Sequence, residues 1–348
     1  MAFVTPEYSK ADVNRAGLIL ARNPQIFNGE WLGATSVLAN WRAAHAYPIN
    51  TFQATLRARL KKVAPEALVA QRLKRTPSII AKLQRFKGMQ LARMQDIGGL
   101  RAVVSTTQEL RYLFEIYQTA YLSHQLISVK DYMSAPKFDG YRSIHLIYRY
   151  NSVNIVDYDG LSLELQLRTK LQHARATAVE TMGIYLGQAL KSGQGEDEWK
   201  QFFKTASAAL AHIEKAEPVP GYEGFDRKTV YKQLMEEEAN LDVVTKLRSF
   251  AVATENIHTL RGTGSYHLIV LNLSDRSVAI TPYATTRLEQ ANRDYALVEE
   301  KAKSGEPLEA VLVSAGSVDA LKKAYPNYFL DTQVFINQIE RIIQAAKR

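Results

Sequence analysis

The 348-residue chain contains no cysteine. Disulfides and thiolate metal sites are therefore excluded, and the composition suits a cytoplasmic protein. Long apolar runs are missing as well: the longest, such as SYHLIVLNL, fall far short of the roughly 20 residues that cross a bilayer, so no membrane span is expected. The opening MAFVTPEYSKADVNRAG lacks the basic start, apolar middle and small-residue cleavage site of a secretory leader. Acidic residues are scarce in one stretch above all. Between Arg57 and Arg101 only Glu66 and Asp96 stand against twelve lysines and arginines, within a net charge of +9. Such a block attracts phosphate, whether in nucleic acid or in a nucleotide; an acidic protein partner or a solvated helix face fits the same pattern.

The length allows two cores. Apolar spacing predicts helices over 7–22 and 32–63, the second interrupted at Tyr47-Pro48, with Asn50 or Thr51 capping the helix beyond the break. Pro77-Ser78 opens a further helix, SIIAKLQRF. IGGLRAVVS reads as a strand, TQELRYLFEIYQTAY as a helix, LISVKDYM, YRSIHLIYRYN and LSLELQLRT as strands, and KLQHARATAVETMGIYLGQAL as a helix. That order predicts an α+β fold, a mixed sheet flanked by helices. The Pro- and Gly-rich AEPVPGYEGFD, at 216–226, marks a boundary. Beyond it, DRKTVYKQLMEEEANLDVVTKLRSFAVAT reads as one helix linking two domains. The remainder, two strands in SYHLIVLNLSDRSVAITPYA, a helix, the strand EAVLVSA and the helices VDALKKAYPNYF and DTQVFINQIERIIQAA, reads as a self-contained small α/β domain. The expected units are thus 1–225, a helical linker at 226–260, and 261–348.

Period-two alternation in LSLELQLRT puts Glu164, Gln166 and Arg168 on one side of a strand and leucines on the other. The alternation alone fits a solvated face as well as a site. Asp96 is the isolated acid of the basic block, and the residues leave it either an ion-pair partner or a Mg²⁺ ligand for a phosphate substrate.

The order of four segments narrows these alternatives. RLKRTPSIIAKLQR, MQDIGGLR, DYMSAPKFDGYRSIHLIY and LELQLRTKLQHA follow one another as the synthetase motifs of the RelA/SpoT family do, with a K-x-x-G-Y-x-S-[IL]-H loop and an E-x-Q-x-R-T-x-x-x-H pattern. The resemblance covers roughly residues 30–215. It implies a nucleotidyltransferase-like mixed sheet and transfer of the β,γ-pyrophosphate of ATP to a ribose 3′-hydroxyl, with AMP released. By resemblance, Arg72 stacks on the adenine of ATP, Lys74 and Lys82 neutralise its phosphates, Ser78 caps the helix between them and meets a phosphate oxygen, and Arg101 adds a phosphate contact. Asp96 and Glu164 resemble the Mg²⁺ ligands, with Glu164 also preparing the attacking hydroxyl. Tyr141 resembles the tyrosine that stacks on the acceptor base. Lys137 and His145 flank it, and Gln166, Arg168 and His173 order the acceptor side. Asp139 departs from the pattern, since alarmone-making members carry Asn there; an acid at that place disfavours a phosphate-rich acceptor such as guanosine diphosphate.

The whole arrangement, including NWRAAHAYPIN and KAYPNYFLDT, looks like the CapRel-type fused toxin–antitoxins among the toxic small alarmone synthetases. That likeness implies a C-terminal domain resembling a zinc finger without zinc. It further implies pyrophosphorylation of the 3′-CCA end of tRNA, arrest of translation in abortive anti-phage defence, masking of the site by the C-terminal domain, and release by a phage protein such as the major capsid protein. Tyr325 and Tyr328 in YPNY match the element that occludes the ATP side. Two other readings remain in view: a small alarmone synthetase making guanosine or adenosine tetra- and pentaphosphates, and an RNA- or protein-binding module that kept the fold.

Overall fold

In the computed structural model, residues 3–22, 29–119, 122–152, 155–185, 196–252, 257–259, 266–272, 274, 277–314 and 332–348 are described. Three helices come first: α1 (Lys10–Ala21), α2 (Gly29–Ala44) and α3 (Ala46–Val63). Ser9 starts α1 by accepting the amide of Asp12 at 3.2 Å. The break near Pro48 is sharper than a kink. α2 ends at Ala44, α3 restarts after His45, and Pro48 falls in the new first turn, where a missing N–H is harmless; neither Asn50 nor Thr51 is the cap.

Strand β1 (Leu68–Leu73) then leads into α4 (Thr76–Arg85), β2 (Gly98–Val104), α5 (Thr107–Thr119), β3 (Gln125–Asp131), β4 (Ile144–Arg149), β5 (Ser162–Thr169) and α6 (Lys170–Tyr185). The segment LVAQRL of β1 has no reading as a strand in the sequence. It owes its structure to partners, pairing antiparallel with β2. β2 and β5 are parallel, while β4 is antiparallel to both β5 and β3, so the sheet is mixed. Leu100, Ala102, Leu146, Leu163, Leu165 and Leu167 all bury on one face, against α3 and α5. This is the inward half of the alternation expected of LSLELQLRT. Gly98 lets β2 lie close to α3, because a Cβ there would stand 3.0 Å from Ile49 Cδ1 and 3.2 Å from His45 Cβ.

A second core forms around α7 (Asp197–Glu214), α8 (Arg227–Leu241), α9 (Val243–Val252) and, with α6, the last helix, whose apolar residues Phe335, Ile336, Ile339 and Ile342 recur at helical spacing. The expected single helix after the Pro/Gly-rich stretch is two helices, because Asp242 adopts a left-handed backbone (φ 51°) between α8 and α9. They pack into this core.

The remaining strands are β6 (Ile257–Thr259), β7 (Tyr266–Asn272), β8 (Ser277–Tyr283) and β9 (Leu308–Ser314), with α10 (Leu288–Lys303) between β8 and β9, and α11 (Gln333–Ala346) ends the chain. These strands do not form a sheet apart. Among the described residues one nine-stranded sheet runs β3-β4-β5-β2-β1-β9-β7-β8-β6, joined where Arg72 of β1 pairs with Val313 of β9. No described helix is long and apolar enough to cross a membrane. The expected helix VDALKKAYPNYF, with Tyr325 and Tyr328, lies outside the described residues.

Candidate functional site

Strand register assembles the site on the sheet face opposite the leucines. Arg72 stands across from Gly99, and Gly99 from Glu164; one step along, Arg101 faces Gln166, and Gln166 faces His145. Paired residues project to the same side, so Arg72, Arg101, Glu164, Gln166, Arg168 and His145 share one polar face.

At one end, Asp96 lies between two ammonium groups, Lys74 Nζ at 3.0 Å and Lys82 Nζ at 2.9 Å. Burial works against the charge on Asp96, yet the two lysines outweigh it and hold the carboxyl below its usual range; nearby Glu164 opposes them. Burial lowers the Lys74 ammonium in turn, with Asp96 partly compensating. Lys74 is placed by the backbone: its N–H donates to Ile97 at 2.8 Å, and its carbonyl accepts Arg42 Nε at 2.7 Å. Ser78 is in the first turn of α4 and is not its cap, since the N-cap position is Arg75.

At the other end a continuous polar chain runs across two strands, β4 and β5, and the loop before β4. His145 Nδ1 pairs with Glu164 Oε1 at 2.8 Å, and His145 Nε2 with the Tyr141 hydroxyl at 2.8 Å. Gln166 donates to Glu164 Oε2 at 2.7 Å, while Arg168 donates to Gln166 Oε1 at 2.8 Å and to the Tyr141 hydroxyl at 2.6 Å. Burial would raise the Glu164 carboxyl, but the His145 and Gln166 hydrogen bonds and nearby charge bring it to about 2. The Tyr141 hydroxyl, also penalised by burial, is drawn to about 7 by Arg168 and His145. Tyr141 is therefore tied at its hydroxyl end, whereas the sequence presents it as a ring on a loop. Its ring centroid has Lys137 Nζ at 5.1 Å and Arg168 Cζ at 5.3 Å.

On the same face, Arg101 lies within electrostatic reach of both Arg72 and Arg168. Burial first, and the positive fields of Arg168 and Arg72 next, push the Arg101 guanidinium down to about 9. The buried Nε atoms of Arg101 and Arg168 have no hydrogen-bond partner. A cluster of guanidinium groups so placed fits an anion.

The loop that carries Tyr141 is built to hold it. Gly140 has φ +80°, and a Cβ there would lie 2.7 Å from Ser207 Cβ on α7, so glycine alone suits both the backbone and the close approach. Ser207 donates to the Gly140 carbonyl. Asp139 accepts the Tyr141 amide at 2.9 Å, a loop bond that an Asn oxygen makes equally well, and Arg175 donates to the Asp139 carbonyl at 2.5 Å. Its carboxylate thus serves the turn beside a guanidinium, which explains the off-pattern acid structurally. Buried beneath, Arg142 pairs with Glu214 at 2.7 Å.

Beside Tyr141 opens a cavity of about 460 Å³ between the sheet face, α6 and α7. Arg101, Tyr141, Arg168 and His173 line it, as do Phe138, Arg175, Lys200 and Lys204, which sequence reasoning did not single out. The two α7 lysines are four residues apart, a spacing indistinguishable from a solvated helix face until the topology turns it toward the site.

A further contact comes from far along the chain. Glu299 of α10, buried, accepts the Thr76 amide at the start of α4 at 3.0 Å, and Arg42 lies 4.3 Å from the centroid of the Tyr295 ring.

Residues 71–188 match the family model described as the region found in RelA / SpoT proteins. That span contains every motif residue of the polar face. A GTP pyrophosphokinase of Bacillus subtilis, YwaC, is 34% identical over 111 residues, 28% of this chain and 49% of that protein. The GTP pyrophosphokinase of Escherichia coli K12 is 29% identical over 147 residues, 42% of this chain and 18% of that protein. The chain thus spans about half or less of the curated relatives it matches. Among solved structures, small alarmone synthetase 2 of Bacillus subtilis superposes with a TM-score of 0.44 at 22% identity, covering 51% of this chain and 93% of that one.

Proposed function

We propose that this protein transfers the β,γ-pyrophosphate of ATP to a ribose 3′-hydroxyl, and that its acceptor is the 3′-CCA end of tRNA. One observation carries the reading: an acid held by two lysines stands close enough to Glu164 of the polar row to feel its charge, with Arg72, Arg101 and Arg168 on the same sheet face. The match of residues 71–188 to the RelA/SpoT region supports the reaction class.

In the reaction the acceptor 3′-oxygen bonds to the β-phosphorus of ATP, the bond from that phosphorus to the α-phosphate oxygen breaks, AMP leaves with the electron pair, and the hydroxyl proton is released to water. The residues present fit Mg²⁺, which takes one or two carboxylates together with substrate phosphates. Asp96 and Glu164 would hold it, and it would supply charge neutralisation at the transferring group. Lys74 and Lys82, which here hold Asp96, would neutralise the donor phosphates when ATP is bound, leaving the carboxylate for the cation. Arg72 and Arg101 offer flat cations for the adenine and its phosphates. With a carboxyl at about 2, Glu164 is ionised throughout the neutral range. That suits a metal ligand and an orienting acceptor of the 3′-hydroxyl better than a strong base, and a loose transition state makes little demand for one.

The reading extends to control. The C-terminal strands and α10 meet the donor side directly, β9 at Arg72 and Glu299 at the start of α4, where a donor phosphate would take the same amide. These contacts support masking of the site by the C-terminal region. Release by a phage protein such as the major capsid protein, and a role in abortive infection, complete the proposal.

A second reading is favoured by one specific feature. Because Asp139 bonds its own loop as Asn would, the loop geometry also admits a free guanine nucleotide, the substrate class in the names of the two curated relatives. Purified protein given γ-labelled ATP, Mg²⁺ and either bulk tRNA or GDP separates the two. Label in tRNA supports the first, label in guanine nucleotide the second, and label in neither, with or without the C-terminal contact removed by Glu299→Ala, defeats both.

A further inference from the structure

We propose that the cavity beside Tyr141 contains a second base-and-phosphate subsite, built from Phe138 and the α7 lysines, so that the acceptor is a single-stranded nucleic acid end of at least two nucleotides. The inference rests on the pyrophosphate-transfer reading and specifies its acceptor.

Phe138 is the starting point. It is 75% exposed, the most exposed of the protein's large apolar side chains among the described residues, and it sits three places before Tyr141 on the same loop. A ring left in water at a cavity mouth has no packing role there. Yet it is not loose: the Lys204 ammonium lies 3.6 Å from the Phe138 centroid, a cation over an aromatic face. That ammonium is located from the other side too, 5.9 Å from the Tyr222 ring and near Gly221. One side of the ring is thus backed by a fixed positive charge, and the remainder faces solvent beside the cavity.

The charges are graded in depth. Next to the polar row are buried Arg168 and the hydroxyl-tethered Tyr141, and the acids Asp139, Glu180 and Asp197 also line the cavity. Half-buried Lys204 and Lys200 stand four residues apart on α7, with Lys200 paired to exposed Asp197 at 2.6 Å. Cations alternating with aromatic rings along a groove are the pattern of single-strand binding, in which rings stack on bases and cations follow the backbone phosphates. A lone nucleotide seated with its ribose at the polar row and its base at Tyr141 gives its 5′-phosphates to Lys200 and Lys204 but leaves the Phe138 ring without use. A strand uses all three: the penultimate base reaches Phe138, and the phosphodiester linking it to the terminal nucleoside passes the α7 lysines. The cavity, about 460 Å³, lies within the range of about 300–1,000 Å³ that holds a whole ligand. Stacking tolerates any base, so this subsite selects strand over mononucleotide and does not select a sequence.

The full-length protein is tested with two probes that share a terminal nucleoside, the RNA trinucleotide CCA carrying a 5′ fluorophore and adenosine monophosphate. Fluorescence anisotropy gives the affinity for the trinucleotide, competed by unlabelled trinucleotide or mononucleotide; γ-labelled ATP gives kcat/KM for each acceptor. The expected results are a preference for the trinucleotide of tenfold or more, a roughly tenfold loss of that preference in Phe138→Ala, its retention in Phe138→Trp, and a shallower salt dependence of trinucleotide binding in Lys204→Ala. A mononucleotide that competes as well as the trinucleotide overturns the proposal, as does an unchanged preference in Phe138→Ala and Lys204→Ala. Absence of label in either acceptor counts against the transfer reading, while the anisotropy comparison still decides the subsite: weakened trinucleotide binding in Phe138→Ala supports it, and unaltered binding overturns it.

Discussion

The two ends of the shared sheet use the same architecture for opposite purposes. From β3 to β1, one face is apolar and the other carries a connected row of charges and hydrogen bonds. From β9 to β8, the strands bury Leu268, Ile269, Leu271, Val278, Ile280 and Leu312, and the middle strand β7 is apolar on both faces. A strand covered on both sides is committed to packing. The candidate site therefore lies in one half of a continuous sheet, and among the described residues the other half meets it at contacts that include Glu299 to Thr76 and Arg72 to Val313.

Substitutions that separate chemistry from packing break or sharpen this contrast. Glu164→Gln keeps the shape of the polar row and removes its charge; transfer should fall by about 10²–10³-fold, with melting temperature little changed, in a paired activity and calorimetry measurement. Leu271→Ala, in the packing half, should do the reverse, losing about 2–5 kcal/mol of stability by denaturant unfolding while the rate per folded molecule is kept. If Leu271→Ala abolishes turnover of folded protein, the division is wrong. Gly140→Ala strains a left-handed position and pushes a methyl at Ser207, so it should cost about 1–3 kcal/mol and also weaken acceptor binding by displacing Tyr141.

His45 gives the contrast a pH signature. It is buried at the α2–α3 break, with Nδ1 2.7 Å from the Trp41 carbonyl, and burial lowers it from 6.5 to about 4. The fold favours the neutral ring, so this contribution is complete above about pH 6.5 and is lost as pH falls toward 4. By pH 5 the loss is about 2 kcal/mol, and His45→Gln should flatten that part of the stability profile. The smallest expected effect is Glu299→Gln, which weakens an acid linking the halves; ATP affinity should rise a few fold by calorimetric titration. A fall would mean that the C-terminal half buttresses the donor side instead of masking it.

Much of the polar half is legible in the sequence because strands write their faces in period two. LSLELQLRT states which residues share a side, and the glycine and tyrosine after Lys137 mark a turn. β1 is not legible: LVAQRL is short, mixes charge with apolar residues, and becomes a strand only because β2 and β9 lie on either side of it. The continuity of the sheet is hidden for the same reason, since a pairing between residues 72 and 313 leaves no local trace. Asp139 is instructive. Read as a charge it argues against a phosphate-rich acceptor, but its carboxylate accepts a backbone amide two residues on and lies near Arg175. Lys200 and Lys204 reach the cavity through α7, which comes from beyond the motifs altogether.

The central claim is that the polar face between β1 and β5 performs pyrophosphate transfer. The most direct test is to incubate the full-length protein with ATP, Mg²⁺ and tRNA and to quantify nucleotide products and acceptor mass together. The account predicts AMP in equal amount to acceptor that has gained a pyrophosphate at its 3′ end, both lost in Glu164→Gln. ADP in place of AMP, or AMP formation that survives Glu164→Gln, would contradict it.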